Sequence, residues 1–334
     1  MRICVVGAGS IGGLLAVQLA QAGEDVSVIA RGPHLAAIQK DGLKLVTEEG
    51  ETITARVAAH QKIADAGAQD LVILGMKAHQ VADVMRDLPA LFGDGTMVLT
   101  AQNGIPWWYF MGFGGDLEGR RLESVDPGSI VADNLPAARV IGSVVYPAAE
   151  IAAPGIIKHI EGNRFSLAEI TNEKTPRIEA VSQAFTKAGF RAPVVSDIRS
   201  EIWTKLWGNL SFNPISALTH ATLAHICTFP ETRALAADMM REAQSIGEAL
   251  GIRFRIPLEK RIAGAQAVGE HKTSMLQDVE AGRAIELTAL VGSVIELGEI
   301  TGVPCPSIKA VYACAKLLAE VIQDQKGAAR IIAL

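Results

Sequence analysis

Three side chains on one predicted helix have the chemistry to bind and protonate a polar ligand. Lys205, Asn209 and Asn213 are spaced at i, i+4 and i+8, so a helix places them along one side. Asparagine is unfavourable inside a helix unless its amide has a partner. A lysine that can give a proton, followed by two amides, is therefore typical of a ligand pocket. Pro214 disfavours helical geometry at Asn213 and predicts a kink or an end of the helix there.

A glycine-rich turn near the start of the chain matches a dinucleotide-binding fingerprint. The pattern G-x-G-x-x-G is formed by six residues that follow a short apolar segment: Gly7, Ala8, Gly9, Ser10, Ile11 and Gly12. Gly7 permits the tight turn, Gly9 lets backbone N–H groups reach a pyrophosphate, and Gly12 lets the next helix lie close to the strand. A predicted helix at 14–22 and a second apolar strand at 26–30 distinguish this turn from an ordinary strand-to-helix connection.

The residue after the second strand indicates which dinucleotide is used. Proteins that bind NAD place Asp or Glu there, about 20 residues after the glycines, to accept hydrogen bonds from ribose hydroxyls. This chain has Arg31. Because a guanidinium pairs with a 2′-phosphate and offers nothing equivalent to a ribose diol, Arg31 predicts NADP(H). The alternative is a surface arginine that merely follows the strand.

Two polar residues follow later predicted strands, at 71–75 and 97–101. Ligands bind beyond the carboxyl ends of strands in a parallel sheet, so both residues are cofactor candidates. Lys77 could meet a cofactor phosphate or ribose, and the Asn103 amide could bond a nicotinamide ribose or the substrate. The alternatives are a solvated loop lysine and an Asn-Gly turn chosen for its positive φ.

A second candidate cluster lies late in the chain. Ser274 followed by Gln277 forms a capping-box pattern, which predicts a helix that begins there. The N–H groups of its first turn could bind a substrate carboxylate, with the Ser274 hydroxyl helping. Glu286 follows about three helical turns later, where it could address the nicotinamide ribose or the reacting oxygen. Taken alone, the alternatives are an ordinary helix cap and a surface carboxylate.

The elements that must position these residues suggest two domains. Strand and helix signals alternate through the first half, which predicts an α/β fold with an N-terminal Rossmann-type, doubly wound parallel sheet. Later strand-like segments precede a polar linker and lie at 140–146, 155–159 and 165–167. Helical periodicity dominates afterwards. We expect an NADP-binding domain at 1–172 and an all-helical substrate and catalytic domain at 173–334.

Composition excludes several classes of protein. The 334 residues carry 31 basic and 36 acidic side chains without a basic block, which argues against nucleic acid as a partner. The uncharged segment 3–23 is long enough for a membrane span, but its glycines fall on the fingerprint, so it is interpreted as strand plus helix. Histidines and cysteines lack metal-ligand spacing, so no metal is expected.

The cysteines and the hydropathy bear on location and assembly. The chain has neither C-x-x-C nor another paired spacing among its cysteines, which are Cys4, Cys227, Cys305 and Cys314. We therefore expect buried thiols in the reducing cytoplasm. The mean hydropathy of +0.26 is high for a soluble monomer, and an apolar homodimer interface is expected.

Together these motifs resemble the ketopantoate reductase (2-dehydropantoate 2-reductase) family. The resemblance spans residues 3 to about 300 and rests on the glycine turn, Arg31, Lys77-Ala78, Gln102-Asn103-Gly104, the segment 205–214, and Ser274-Met275-Leu276-Gln277-Asp278 with Glu286. It implies NADPH-dependent reduction of 2-dehydropantoate to (R)-pantoate, a step toward pantothenate and coenzyme A.

The resemblance also implies a role for each candidate residue. Lys205 would be the general acid, Asn209 and Asn213 would hold the substrate, Ser274 would bind its carboxylate, and Glu286 would orient cofactor or substrate hydroxyls. Direct hydride transfer to a ketone carbon beside a carboxylate would be completed by a proton from Lys205. Partial desolvation by the surrounding tryptophans is expected to lower the pKa of the lysine.

Three departures from the family pattern leave other functions open. His271 stands where an Asn is expected, Thr222-Leu223 replaces another Asn, and an aromatic segment occupies 106–113. This segment is expected either to pack against the second domain or a partner subunit, or to wall the substrate pocket. The departures favour, as an alternative, an NADP-dependent reductase of a bulkier 2-oxo acid. A non-catalytic NADP sensor would need only the glycines and Arg31.

Overall fold

The computed structural model describes residues 1–331, which form two units. The first comprises Met1–Gln102 and Pro106–Ile198; the second comprises Asn103–Ile105 and the chain from Arg199 onward. The second unit is therefore discontinuous in sequence. It includes three residues that come shortly after a strand of the first unit.

The strands of the first unit belong to two sheets. In chain order they are β1 (Arg2–Val6), β2 (Asp25–Ile29), β3 (Leu43–Val46), β4 (Thr52–Ala55), β5 (Ala58–His60), β6 (Gln69–Leu74), β7 (Phe92–Thr100), β8 (Val140–Val145), β9 (Ala148–Ala153), β10 (Ile156–Glu161) and β11 (Phe165–Glu169). The larger sheet has the order β11-β8-β7-β6-β1-β2-β5 and is parallel except for β11, which is antiparallel to β8. This confirms the expected Rossmann-type sheet.

The smaller sheet has the order β4-β3-β10-β9 and was not expected. Its central pair, β3 and β10, is parallel, with Leu45 opposite Ile157. The first unit also contains α1 (Ser10–Gln21), α2 (Gly32–Asp41), α3 (Ile130–Asn134) and α4 (Pro176–Lys187).

Helix α1 contacts strands of both sheets. Four consecutive residues, Leu14 to Val17, are fully buried, as required of a helix covered on several sides. A Cβ at Gly13 would lie 2.6 Å from Cγ1 of Ile157, so this glycine allows α1 to approach β10. This burial accounts for the uncharged segment 3–23, which forms β1 and α1 as expected. Within residues 1–331, no helix combines the length and apolarity needed to cross a bilayer.

The second unit is helical, as expected. Its helices are α5 (Ile198–Thr219), α6 (Leu223–Thr228), α7 (Pro230–Ala249), α8 (Leu258–Ala267), α9 (Ser274–Glu280), α10 (Ser293–Thr301) and α11 (Pro306–Asp324), with a π-helical segment at Thr288–Gly292. Trp203 and Trp207 of α5 pack on Phe254, and the Trp207 indole donates to the Met240 carbonyl of α7 at 2.6 Å. Helix α5 continues through Pro214, so of the two predicted possibilities, a kink or an end at Asn213, the end does not occur.

The division between the units differs from the expected boundary at 172/173. Helix α4 and the segment up to Ile198 belong to the first unit. The physical reason is that α4 contacts β11 and α1, and its buried Val181 and Phe185 complete the apolar core of the first unit. A helical pattern alone does not tell which core a helix covers.

The aromatic segment 106–113 packs inside the first unit. Trp108 donates from Nε1 to Thr100 Oγ1 at 3.1 Å, and its ring lies against Gly142 of β8. Tyr109 and Phe110 are fully buried. Packing on β7 and β8 was not among the expectations for this segment. The expectation of buried thiols is met by three cysteines, but Cys314 is exposed on α11.

Candidate active site

The glycine turn is closed by contacts between backbone atoms. Gly7 has φ +95°, in the left-handed region. A Cβ at Gly12 would lie 2.1 Å from the Gly7 carbonyl oxygen, and one at Gly75 would lie 2.7 Å from the same atom. No side chain fits at these distances, so packing within the first unit dictates Gly12 and Gly75.

Gly9 has a different explanation. It precedes α1 as the N-cap, and a Cβ there would come no closer than 3.8 Å to another part of the protein. The protein itself therefore has room for a side chain. Gly9 also provides no side-chain acceptor for the N–H groups of the first helical turn. An open space above unsatisfied N–H groups fits a pyrophosphate, which a side chain would displace.

The other predicted cofactor residues follow β2 and β6, the two strands that flank β1 in the larger sheet. Arg31 follows β2 as the N-cap of α2; it is exposed, and its guanidinium makes no hydrogen bond or ion pair with residues 1–331. Lys77 follows β6 and is half-buried, and its backbone N–H donates to Gln80 Oε1 at 3.3 Å.

Gln102 belongs to one of the motifs that carry the family resemblance, but the sequence predicted no role for it. Its Nε2 donates to the carbonyls of Leu74 at 2.7 Å and of Met76 at 3.0 Å. Gln102 thereby fixes the turn that leads from β6 into Lys77. No spacing rule predicts these bonds, because donor and acceptors are 26 and 28 residues apart in the chain.

A hydrogen-bonded chain joins three predicted site residues within the second unit. Lys205 Nζ donates to Asn103 Oδ1 at 2.6 Å, and Asn103 Nδ2 donates to Glu286 Oε2 at 3.4 Å. Desolvation lowers the pKa of Lys205 to about 8, although the negative charge of Glu286 acts in the opposite direction. The downward direction agrees with the expectation from the sequence. A lysine with this pKa is still largely protonated at neutral pH and is a stronger acid than a solvated one.

Asn103 is held in place by its neighbours in the chain. Gly104 has φ +89°, and a Cβ there would lie 2.2 Å from the Ala289 carbonyl oxygen in the π-helical segment. The same oxygen accepts a hydrogen bond from the Ile105 N–H at 3.1 Å. Gly104 therefore has the positive φ expected of an Asn-Gly turn. Its close approach to Ala289 also holds the preceding residue, Asn103, whose amide contacts Lys205.

Asn209 and Asn213 lie on α5 with Lys205, as the spacing predicted. Neither side chain makes a hydrogen bond within residues 1–331, although Asn213 is only 6% exposed. The amide atoms of Asn213 are not among the fully buried, unpartnered polar atoms of residues 1–331, so they keep access to a ligand or water from which they can gain partners. This arrangement favours a ligand-binding role for both amides.

The late cluster differs in detail from the prediction. The cap of α9 is Thr273, whose Oγ1 accepts from the Leu276 N–H at 3.3 Å; Ser274 is the exposed first residue of the helix. Gln277 donates to the Lys272 carbonyl, so the predicted capping box with Ser274 is wrong. Both threonine and serine can cap a helix, and they are adjacent in this sequence, at 273 and 274.

Glu286 also lies in a different setting. Helix α9 ends at Glu280, followed by a turn in which Gly282 has φ +65°. Glu286 therefore stands in the non-helical stretch before the π-helical segment, and not on the helix that begins at Ser274. It nevertheless reaches the Asn103 amide.

Comparison with known proteins identifies the family. The model for ketopantoate reductase PanE/ApbA matches residues 3–172, and the model for its C-terminal domain matches residues 197–319. A 2-dehydropantoate 2-reductase of Mesorhizobium japonicum is 56% identical over 320 residues, covering 96% of this chain and 98% of the relative. The chain belongs to the ketopantoate reductase PanE/ApbA family.

Solved structures agree with this family assignment. The crystal structure of a candidate ketopantoate reductase from Ralstonia solanacearum MolK2 has a TM-score of 0.91 at 41% identity, covering 96% of this chain and 98% of the other. A complex of D-mandelate dehydrogenase with NADH and anilino(oxo)acetate has a TM-score of 0.83 at 20% identity over 97% and 99% of the two chains, a likeness of fold alone.

Ketopantoate reductases are NAD(P)-binding oxidoreductases, and the first unit has the features that such a cofactor needs. The first unit contains the glycine turn, and the second unit contains a lysine of lowered pKa and two amides without hydrogen bonds within residues 1–331. The resemblance deduced from the sequence is thereby confirmed for family and fold.

Proposed function

We propose that this protein catalyses the NADPH-dependent reduction of 2-dehydropantoate to (R)-pantoate. The observation that carries the proposal is the hydrogen-bonded chain Lys205–Asn103–Glu286, in which the pKa of the lysine is lowered to about 8. The 56% identical relative named 2-dehydropantoate 2-reductase supports the choice of substrate.

Lys205 acts as the general acid in this mechanism. When bound, the nicotinamide supplies a hydride to the ketone carbon. The Lys205 ammonium transfers its proton to the carbonyl oxygen as negative charge develops there, so that the oxygen becomes the hydroxyl of the product and the amine is left neutral. Solvent returns the proton before the next cycle. Asn103 holds Nζ in place through its Oδ1, and Glu286 fixes the orientation of that amide.

Three other polar side chains of the second unit bind the substrate. Asn209 and Asn213 lie on the same helix as Lys205, have no side-chain hydrogen bond in the described part of the chain, and bond the polar groups of the oxo acid. Ser274 is exposed at the start of α9 and contributes its hydroxyl to the substrate carboxylate.

Arg31 selects NADPH over NADH. Its guanidinium is exposed at the end of β2 with no acidic partner within residues 1–331, which leaves it available to a 2′-phosphate. Since a charge-assisted bond is worth roughly 1.5–3 kcal/mol, Arg31→Ala should reduce the kcat/KM preference for NADPH by about 10- to 100-fold. Arg241→Ala, on the surface of α7, is the control that should leave this preference unchanged.

The central test follows the oxidation of NADPH with 2-dehydropantoate and with a panel of larger, more apolar 2-oxo acids. The proposal expects the highest kcat/KM with 2-dehydropantoate. A clear preference for a bulkier oxo acid would replace the substrate assignment and keep the mechanism. No oxidation of NADPH with any member of the panel would refute the enzymatic role.

A further inference from the structure

His34 makes two hydrogen bonds that connect distant parts of the first unit. It lies in the first turn of α2 and is half-buried. Its Nδ1 accepts from the Gly155 N–H at 3.0 Å, and its Nε2 lies 2.8 Å from the Ala8 carbonyl oxygen. A backbone N–H can only donate, so Nδ1 carries no proton, and the neutral ring has its hydrogen on Nε2. His34 therefore donates to Ala8.

The acceptor of this bond is in the centre of the glycine turn. The N–H of Ala8 donates to the Ile29 carbonyl at the end of β2, at 3.2 Å. The carbonyl of Ala8 is held by His34. The N–H and the carbonyl of Ala8 are thus both fixed by hydrogen bonds to residues outside the turn.

Peptide geometry passes this constraint to the next residue. The Ala8 carbonyl and the Gly9 N–H belong to one planar trans peptide and point in opposite directions. Fixing the carbonyl therefore fixes the direction of the Gly9 N–H, which has no acceptor within residues 1–331. The surrounding protein also leaves space for a Cβ at Gly9, so packing does not explain why this residue is glycine.

The other partner of His34 is rigid as well. Gly155, in the turn between β9 and β10, has φ +75°, and a Cβ there would lie 2.9 Å from Ala37 Cβ on α2. Its carbonyl accepts from the Lys44 N–H of β3 at 2.9 Å. The small sheet thereby holds the imidazole in the orientation that serves the glycine turn.

We propose that His34 is a positioning residue for the dinucleotide, which holds the Ala8 carbonyl so that the Gly9 N–H faces the cofactor pyrophosphate. The inference rests on dinucleotide binding as stated in the proposed function. His34 itself is placed against the protein backbone and takes no part in hydride or proton transfer.

Two variants separate the two bonds of His34. The Oδ1 of His34→Asn takes the place of Nδ1 and keeps the bond to Gly155, but the side chain is too short to reach Ala8. The Nε2 of His34→Gln occupies the place of the ring Nε2 and keeps the bond to Ala8. The dissociation constant of NADPH, measured by fluorescence titration, should rise about 3- to 10-fold in His34→Asn, the value of one net hydrogen bond, and stay within about 2-fold of wild type in His34→Gln.

Further measurements separate positioning from a general structural role. The kcat of both variants at saturating NADPH should equal that of wild type. His159→Asn is the matched control: the Nε2 of His159 lies 2.6 Å from the carbonyl oxygen of Gly162, just after β10, and not against the Ala8 carbonyl, so the variant should bind NADPH as wild type does.

Equal NADPH affinity in the Asn and Gln variants would overturn the proposal, as would a loss of kcat without a loss of affinity. If His34→Asn does not fold, His34→Ala replaces it, and wild-type affinity in that variant is equally contradictory. Failure of the wild-type protein to bind NADPH would refute the proposed function and is distinguishable from these outcomes.

Discussion

The glycine turn of the first unit and the lysine cluster of the second are built on opposite principles. The turn is dense: Gly7, Gly12 and Gly75 touch through backbone atoms that leave no space for a methyl group. The cluster is sparse in a different sense: Lys205 donates to Asn103 and Asn103 donates to Glu286, while the side chains of Asn209 and Asn213 beside them make no hydrogen bond within residues 1–331. Steric closure makes a turn rigid before ligand arrives, whereas polar groups without partners leave bonding capacity for the ligand.

The largest expected effect tests the sparse region. Lys205→Met removes the proposed proton donor while keeping most of the side-chain volume. We expect kcat for reduction to fall by about 10²- to 10⁴-fold, with the dissociation constant of NADPH nearly unchanged. Lys309 is an exposed residue of α11 whose ammonium group pairs with Glu299. Lys309→Met should therefore leave kcat unaffected. A kcat near that of wild type in Lys205→Met would remove the general acid from the mechanism.

The second test contrasts two glycines of the dense region. Gly12→Ala places a methyl group against the Gly7 carbonyl and should lower the free energy of unfolding by about 1–3 kcal/mol or more. Gly9→Ala has room within the protein, so its melting temperature should equal that of wild type while its NADPH affinity falls. Thermal unfolding and NADPH titration on both variants give the comparison. An equal loss of stability in Gly12→Ala and Gly9→Ala would show that packing constrains both glycines alike.

The third test concerns the amides of the sparse region. Asn213→Ala loses no side-chain hydrogen bond within residues 1–331, so its stability should stay close to wild type, whereas the KM for the oxo acid should rise about 3- to 10-fold. Ser211→Ala, on the same helix, is the matched control: the Ser211 hydroxyl donates to the Trp207 carbonyl at 3.1 Å, so this change should affect stability and leave KM unchanged. An unaltered KM in Asn213→Ala would exclude a substrate contact.

The smallest expected effect is the pH dependence of the sparse region. Reduction needs the ammonium form of Lys205, whose pKa is about 8, so kcat should be level below that pH, half-maximal near it, and lower above it. Glu286 raises the pKa of Lys205, and Glu286→Gln should therefore move the decline to lower pH. A profile that is flat up to pH 10, or a decline that moves upward in Glu286→Gln, would contradict this assignment.

The two regions also differ in how far the sequence predicts them. The glycine turn is local, and the fingerprint with its flanking strands was sufficient to place Gly7 to Gly12 and Arg31. Lys205, Asn209 and Asn213 were likewise predictable because one helix carries all three. The bond from Lys205 to Asn103 spans 102 residues and that from Asn103 to Glu286 spans 183, and no periodicity encodes such distances.

The remaining errors have identifiable physical causes. The small sheet was missed because its strands are short and β3 pairs with the distant β10. Helix α9 stops at Glu280 because the chain turns at Gly282, where a Cβ would lie 2.5 Å from the Gly327 carbonyl oxygen. His34 gave no signal at all, since its partners are backbone groups of Ala8 and Gly155.

The membership of Asn103–Ile105 in the helical unit limits how this protein can be recombined. A gene cut after Ile198 would produce a C-terminal fragment with Lys205 but without Asn103, whose amide oxygen accepts the hydrogen bond from Lys205. Chimaeras that exchange helical units between relatives should therefore carry these three residues with them, together with the partner of Gly104 at Ala289. Such an exchange needs three crossover points along the chain, after Gln102, after Ile105 and after Ile198, instead of one.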